Sequence, residues 1–346
     1  MKEKYARISA PPQNEVRLEP PIGRGTRAFL IFLVCSAVLI AGFAVSRIPF
    51  PRRNAKEIPP SGTTDEGKAS ESGAPVSADT APEAESLPEG ATVIRTADLS
   101  GGKIRNETPY SINLSSLPLS GAIKTREFRA DLPVVLILHT HAQESYRADD
   151  APPYFEGTVG DAVYSEDPSK NVVAAGAALS RELNRNGIPT VHCTALHGEG
   201  GSLRGAYRSA SECIRAYLER YPSIEYVIDL HRDGISDADG ACLRTATPDG
   251  RAQIMAVVGT DGNGTDCPAW QANLGLALLL SDRLNGEVPG SCRAVSLRNA
   301  SYNQEFARHS LLLEIGSSGN TVSEAIEAAG RVGKALAELI GGRAED

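Results

Sequence analysis

An apolar run, PVVLIL, leads straight into His-Thr-His-Ala-Gln-Glu-Ser-Tyr and so sets His139, His141, Glu144 and Tyr146 at the end of a strand. Two histidines two apart on an extended segment point to one side, and Glu144, three residues further on, can fold back across the loop. Imidazole and carboxylate are the donors of catalytic zinc, which keeps three protein ligands and one open position. A second run, EYVIDLHRD, ends in Asp229, His231, Arg232 and Asp233, and a third, SLLLEIGSSGN, ends in Glu314 before a Gly-Ser-Ser-Gly turn. A local His pair, a distant third ligand and a further carboxylate are the parts of a metal hydrolase, in which the ion activates water and a Glu moves the proton. Taken singly, each of these residues reads equally well as a hydrogen-bonded or ion-paired structural group. Their joint arrival at three strand ends favours the Zn2+ site. The chain has six histidines, and the other three, His192, His197 and His309, read as structural or exposed.

The elements that must position these residues alternate. Strands are expected at Val134–His139, Pro189–Cys193, Glu225–Leu230, Ile254–Val258, Cys292–Leu297 and Ser310–Ile315. Helices are expected between and after them, at Ser169–Asn186 with Gly187 as its stop, Ser202–Tyr221, Pro268–Asn285 and Thr321–Leu339. The last opens on a box in which Thr321 or Ser323 caps and Glu324 reaches back. Alternation of this kind implies βαβ units and a mostly parallel sheet covered by helices on both faces, whose ligands bind at the strand ends. Gly259–Thr265 lacks the Gly-Lys-Ser/Thr ending of a phosphate loop, and IGSSG is not a nucleophile elbow.

The formal net charge of −8 argues against a nucleic-acid partner. Residues 28–45, AFLIFLVCSAVLIAGFAV, carry no charge and approach the length needed to cross a bilayer. The flank RIPFPRR is unlike a cleavage site, so the segment reads as an uncleaved anchor. The division expected is a cytoplasmic tail at 1–26, a transmembrane helix at 27–46, a disordered Pro/Ser/Ala/Glu/Gly-rich linker at 47–92, an arm or first edge at 93–130, and a catalytic domain at 131–342. That places the catalytic domain outside the cytoplasm on a tether whose reach suits a wall layer. Of six cysteines, Cys35 lies in the apolar segment; the rest lack CxxC spacing, which argues against thiolate zinc knuckles, while a Cys267–Cys292 disulfide is open.

HTHAQESY, DLHRDG, SYNQEF and LLLEIGSSGNTVSEA, in that order behind an anchor and a linker, resemble the stage II sporulation protein P family over residues 95–340. That family is similar to the zinc-dependent N-acetylmuramoyl-L-alanine amidases. The resemblance implies a three-layer αβα sandwich, amide hydrolysis in peptidoglycan with cross-link cleavage beside it, and septal wall thinning during engulfment. It also implies stage II sporulation proteins D and M as partners and a place in the cell membrane facing the septal space. Carried over, the ligands fall on His141 and His231 and the acid-base residue on Glu314. The middle ligand falls on Glu144 or His139, with Glu166 and Asp167 ranked below. Arg232 and Asp233 orient the ligands or hold a substrate carboxylate, and Tyr302, Asn303 and Gln304 line the cleft. The rival from another class is a wall-binding or scaffold module with a vestigial metal site.

Overall fold

The computed structural model describes residues 87–117, 127–156, 163–197 and 203–341. The apolar segment at 28–45, the tail and most of the linker lie outside them. Among the described residues no helix is long and apolar enough to cross a membrane.

Among the described residues, ten strands and four α-helices follow in chain order: β1 (Thr92–Ala97), β2 (Gly101–Asn106), β3 (Val135–Leu138), β4 (Tyr154–Phe155), α1 (Val172–Arg185), β5 (Thr190–His192), α2 (Leu203–Arg220), β6 (Tyr226–Asp233), β7 (Cys242–Thr245), β8 (Ile254–Gly259), α3 (Trp270–Glu287), β9 (Arg293–Arg298), β10 (His309–Ser317) and α4 (Val322–Ile340). The main sheet runs β2-β9-β8-β10-β6-β3-β5, and β4-β1-β7 form a small second sheet. Every neighbouring pair in the main sheet is parallel except β8 with β10, so the sheet is mixed. The stretch at 93–130 supplies most of β1 and all of β2, the latter hydrogen-bonded to β9 at the sheet edge.

β3 shows how the layers arise. Its four residues, Val-Leu-Ile-Leu, are all buried and alternate sides. Val135 and Ile137 pack into the large core with α1, α3 and α4, whereas Leu136 and Leu138 join Ala210, Ile214 and Tyr217 of α2 in a second, smaller core. Helices therefore cover both faces of the sheet, and a strand buried on both faces has to be apolar throughout. α1 is capped by Asn171, whose side chain accepts from the Val173 amide, and stops at Gly187, which adopts φ +77°. α4 begins with a complete capping box of Thr321 and Glu324, while Ser323 instead donates its hydroxyl to Asp149.

The chain passes from β3 to β5 on one side and then returns to β6 on the other side of β3. A reversal of this kind opens a crevice at the carboxyl ends of the strands. β10 lies beside β6 in parallel, with Glu314 in register with His231.

Candidate metal and acid-base site

β6 is longer than expected and runs through His231 and Arg232 to Asp233. Asp229 and His231, two apart on one strand, share a face with Val227, which packs against α2. β10 likewise continues three residues beyond Glu314, to Ser317, with a register irregularity between them. Leu311, Leu313 and Ile315 fill the large core, so Glu314 faces the other way, on the side of His231.

His231 is buried between two carboxylates. Its Nδ1 lies 3.3 Å from Glu144 Oε2 and its Nε2 lies 2.9 Å from Asp229 Oδ1. The second contact is close but bent, leaving Nε2 without a well-directed hydrogen bond. Burial opposes a charge on this ring, yet Asp229 and Glu144 outweigh it and hold the His231 pKa well above its ordinary value. Asp229 is fixed from its far side by the Thr140 amide (2.8 Å) and the Thr140 hydroxyl (2.6 Å). Burial alone would raise its pKa, but His231 and these bonds bring it down to about 2. Glu144 also accepts from the Arg232 amide at 3.2 Å, and His231 keeps its carboxyl below the usual range against the effect of burial.

His141 stands next in the group, its ring centroid 5.2 Å from that of His231 and 5.5 Å from Tyr207 of α2. Burial and then the neighbouring His231 push its pKa down, so the ring is neutral, the form in which imidazole binds a cation. Glu314 is half-buried, with its Oε2 shielded from solvent and without a hydrogen-bond partner. Burial pushes this carboxyl up to about 8, with Glu144 and Asp233 adding to the rise against the opposing His231.

His139 departs from the sequence expectation. The strand ends at Leu138 and a turn begins at Thr140, so the alternation that would align His139 with His141 is broken. His139 Nδ1 donates to the Leu230 carbonyl at 2.8 Å, which leaves Nε2 to accept from His192 Nε2 at 2.8 Å. Burial lowers His139 to about 3 and His192 to about 4, and both rings are neutral. A Cβ on Gly176 of α1 would meet the His139 ring at 2.6 Å, so the absence of a side chain there is what admits the imidazole. His139 is thus a packed core group with both nitrogens engaged.

The remaining expected residues divide. Arg232 donates to the Ser145 and Val163 carbonyls and pins the loop that carries Glu144. Asp233 pairs with Arg293 at 2.8 Å. Asn303 donates to the Tyr207 carbonyl on α2 at 2.9 Å, from a backbone in which both Tyr302 and Asn303 adopt positive φ, a costly conformation for residues other than glycine. Gln304 is buried, and its side chain bridges Gly259 and Val257 at the end of β8 rather than lining a cleft. Glu166 accepts from Gln143 at the surface, and Asp167 serves a turn with Ser169.

Sequence reasoning noted Asp229 at its strand end without giving it a role, and passed over Thr140, Tyr207 and Arg293. The Asp-x-His spacing on one strand face could have flagged Asp229, since a carboxylate two residues from a ligand histidine is a common orienting partner. Nothing in the pattern of α2 singles out Tyr207.

Two imidazoles, a carboxylate against one of them and an Asp behind the same ring are donor types that suit a zinc ion, set on a mixed α/β fold. The Stage II sporulation protein P (SpoIIP) family profile matches residues 53–341 of this chain, which belongs to that family. The chain is 27% identical over 226 residues to Stage II sporulation protein P of Bacillus subtilis (strain 168), a match that takes in 62% of this chain and 53% of the relative; the chain spans about half the length of the curated protein it matches. Among solved structures, it is similar to the N-acetylmuramyl-L-alanine amidase Ami1 of Mycobacterium abscessus, with 16% identity, a TM-score of 0.35, and 60% of this chain and 97% of that one covered. It is also similar to the CwlD amidase of Clostridioides difficile, solved with the GerS lipoprotein, with 13% identity, a TM-score of 0.36 and coverage of 58% and 95%. Likenesses at this level leave the chemistry to the residues themselves.

Proposed function

We propose that this chain is a membrane-anchored peptidoglycan hydrolase of sporulation, a zinc-dependent N-acetylmuramoyl-L-alanine amidase whose domain faces the septal space outside the cytoplasm. Stage II sporulation proteins D and M are its partners in this reading. Family membership supports the sporulation role, and one observation carries the chemistry: a Glu314 carboxyl, with one oxygen shielded and unpartnered, held in register with His231, whose ring meets Glu144.

The residues present fit a zinc ion. His231 and Glu144 are already in contact, Asp229 backs the ring, and His141 stands neutral one ring away. His141, Glu144 and His231 would hold the ion, and His139, with both nitrogens engaged, is left as a packing group. When bound, zinc supplies Lewis-acid polarisation of the amide carbonyl and a more acidic water. Without it, His231 Nδ1 keeps a proton against Glu144, and that proton must leave before the nitrogen can serve as a ligand. Glu314 accepts a proton from water and returns it to the leaving amine, a role suited to a carboxyl whose pKa lies near the working pH. Arg232 holds the Glu144 loop in place throughout.

Mass analysis of material released from purified peptidoglycan tests the assignment. Glycan strands freed of intact stem peptides are expected, with release lost in His231→Ala together with the zinc held at this site. Cut stem peptides with the glycan link intact would make the protein an endopeptidase, and binding of wall fragments without release would make it a scaffold.

A further inference from the structure

A second group of ligand-type side chains lies on the α2 side of the sheet. Cys193 follows β5, His197 lies in the loop beyond it, and Cys213 sits in the middle of α2. One ligand atom of each lies within 4.8 Å of the others, and the two sulfurs are 3.1 Å apart. Among the described residues this is the one such group in which all three ligand atoms converge so closely. Cys193 is 4% exposed and His197 is 7% exposed. His197 Nδ1 is engaged with the Ser209 hydroxyl at 3.2 Å, while Nε2 is sealed from solvent with no hydrogen-bond partner. A buried ring nitrogen without a partner carries a desolvation cost that a native fold normally avoids. An ion shared with two nearby sulfurs removes it.

We infer that Cys193, His197 and Cys213 form a second metal site, taking a thiophilic divalent cation of the zinc type. Two sulfurs and an imidazole are soft and borderline donors, a set that selects zinc over the hard cations and differs in kind from the nitrogen and oxygen donors around His231. Each thiol gives up its proton to solvent as the ion binds. The sequence hid the site because its ligands come from a strand end, a loop and a helix, and not from a CxxC turn. The site also has a structural consequence. α2 carries Tyr207, which packs against His141 and whose carbonyl holds Asn303. An ion joining Cys213 to the end of β5 ties that helix to the sheet edge and steadies Tyr207 over the first site.

Cobalt loading of the full chain tests this separately from the first site, because only thiolate ligation gives an intense near-ultraviolet sulfur-to-cobalt charge-transfer band. The band is expected in the wild type and in His231→Ala, and it is expected to vanish in Cys193→Ser and Cys213→Ser. His197→Ala should bind at least about tenfold more weakly, the low end of what losing even a metal-orienting group costs. Zinc should also slow iodoacetamide alkylation of both thiols in the unaltered protein, a readout that needs no variant to fold. A cobalt-loaded protein without the band, a band that survives in Cys213→Ser, thiols that zinc leaves unprotected, or a Cys193–Cys213 disulfide in the purified protein would each overturn the proposal.

Discussion

Replacing Glu314 by Gln in the metal-stripped protein gives a quantitative test of the acid-base site. In the unfolded chain this carboxyl ionises near 4.5, whereas in the fold it ionises at about 8. Below pH 4.5 both states hold the proton and the residue adds no pH dependence. As pH rises between these values the unfolded chain releases a proton that the folded one retains, so the fold loses stability relative to a residue that cannot titrate. Each pH unit is worth about 1.4 kcal/mol, which over this interval makes a loss of about 5 kcal/mol as an upper bound, because Glu144 and His231 adjust their own charges as Glu314 ionises. Gln is nearly isosteric, but its buried amide is left without partners, a pH-independent cost of about 1–3 kcal/mol. The variant should therefore be the less stable protein near pH 5 and should draw level with or overtake the wild type above pH 8. Urea unfolding of both proteins in chelator across this range measures the difference. Two stability curves that stay parallel from pH 5 to pH 8.5 would refute the reasoning, since they would mean that Glu314 ionises alike in the folded and unfolded chains.

Asp229→Asn removes the charge behind His231 and one acceptor of Thr140, and zinc affinity by competition titration should fall by about 10- to 100-fold with the fold retained. An unchanged affinity would show that Asp229 does not orient the ring. Gly176→Ala places a methyl group 2.6 Å from the His139 ring, and the urea midpoint should drop by the equivalent of about 1–3 kcal/mol. Thr321→Ala removes the α4 cap and should cost about 1 kcal/mol in the same measurement, with wall release unaffected.

Much of the site was legible because strands buried on both faces leave a strong mark. The apolar runs ending at His139, Asp229 and Glu314 could hardly be anything else, and each strand and helix expected from Val134 onward has its counterpart within a few residues. The boundaries slipped where chemistry-bearing residues continue a strand: polar His231 and Asp233 looked like the end of β6, but Glu144 and Arg293 offer them opposite charge and the ladder runs on. His139 was misleading for the opposite reason. Its type suggests a ligand, and only the turn at Thr140 and the glycine across from it on α1 reveal a packed ring. The partners that come from afar, Tyr207 and Arg293, left no local trace, because a single tyrosine on a helix or an arginine opening a strand has no periodicity to betray it.

The place of β2 bears on how this protein comes to be folded. Among the described residues, Gly101–Asn106 finds its parallel partner in Arg293–Leu297, and β1 finds its own in Cys242–Thr245. Both strands leave the ribosome early and must wait for residues made much later. Such long-range pairing slows folding, and a strand kept waiting is an open template for the wrong neighbour. In β2 the waiting strand is Gly-Gly-Lys-Ile-Arg-Asn, short, mostly exposed and twice positively charged, a composition that resists pairing with strangers until β9 arrives.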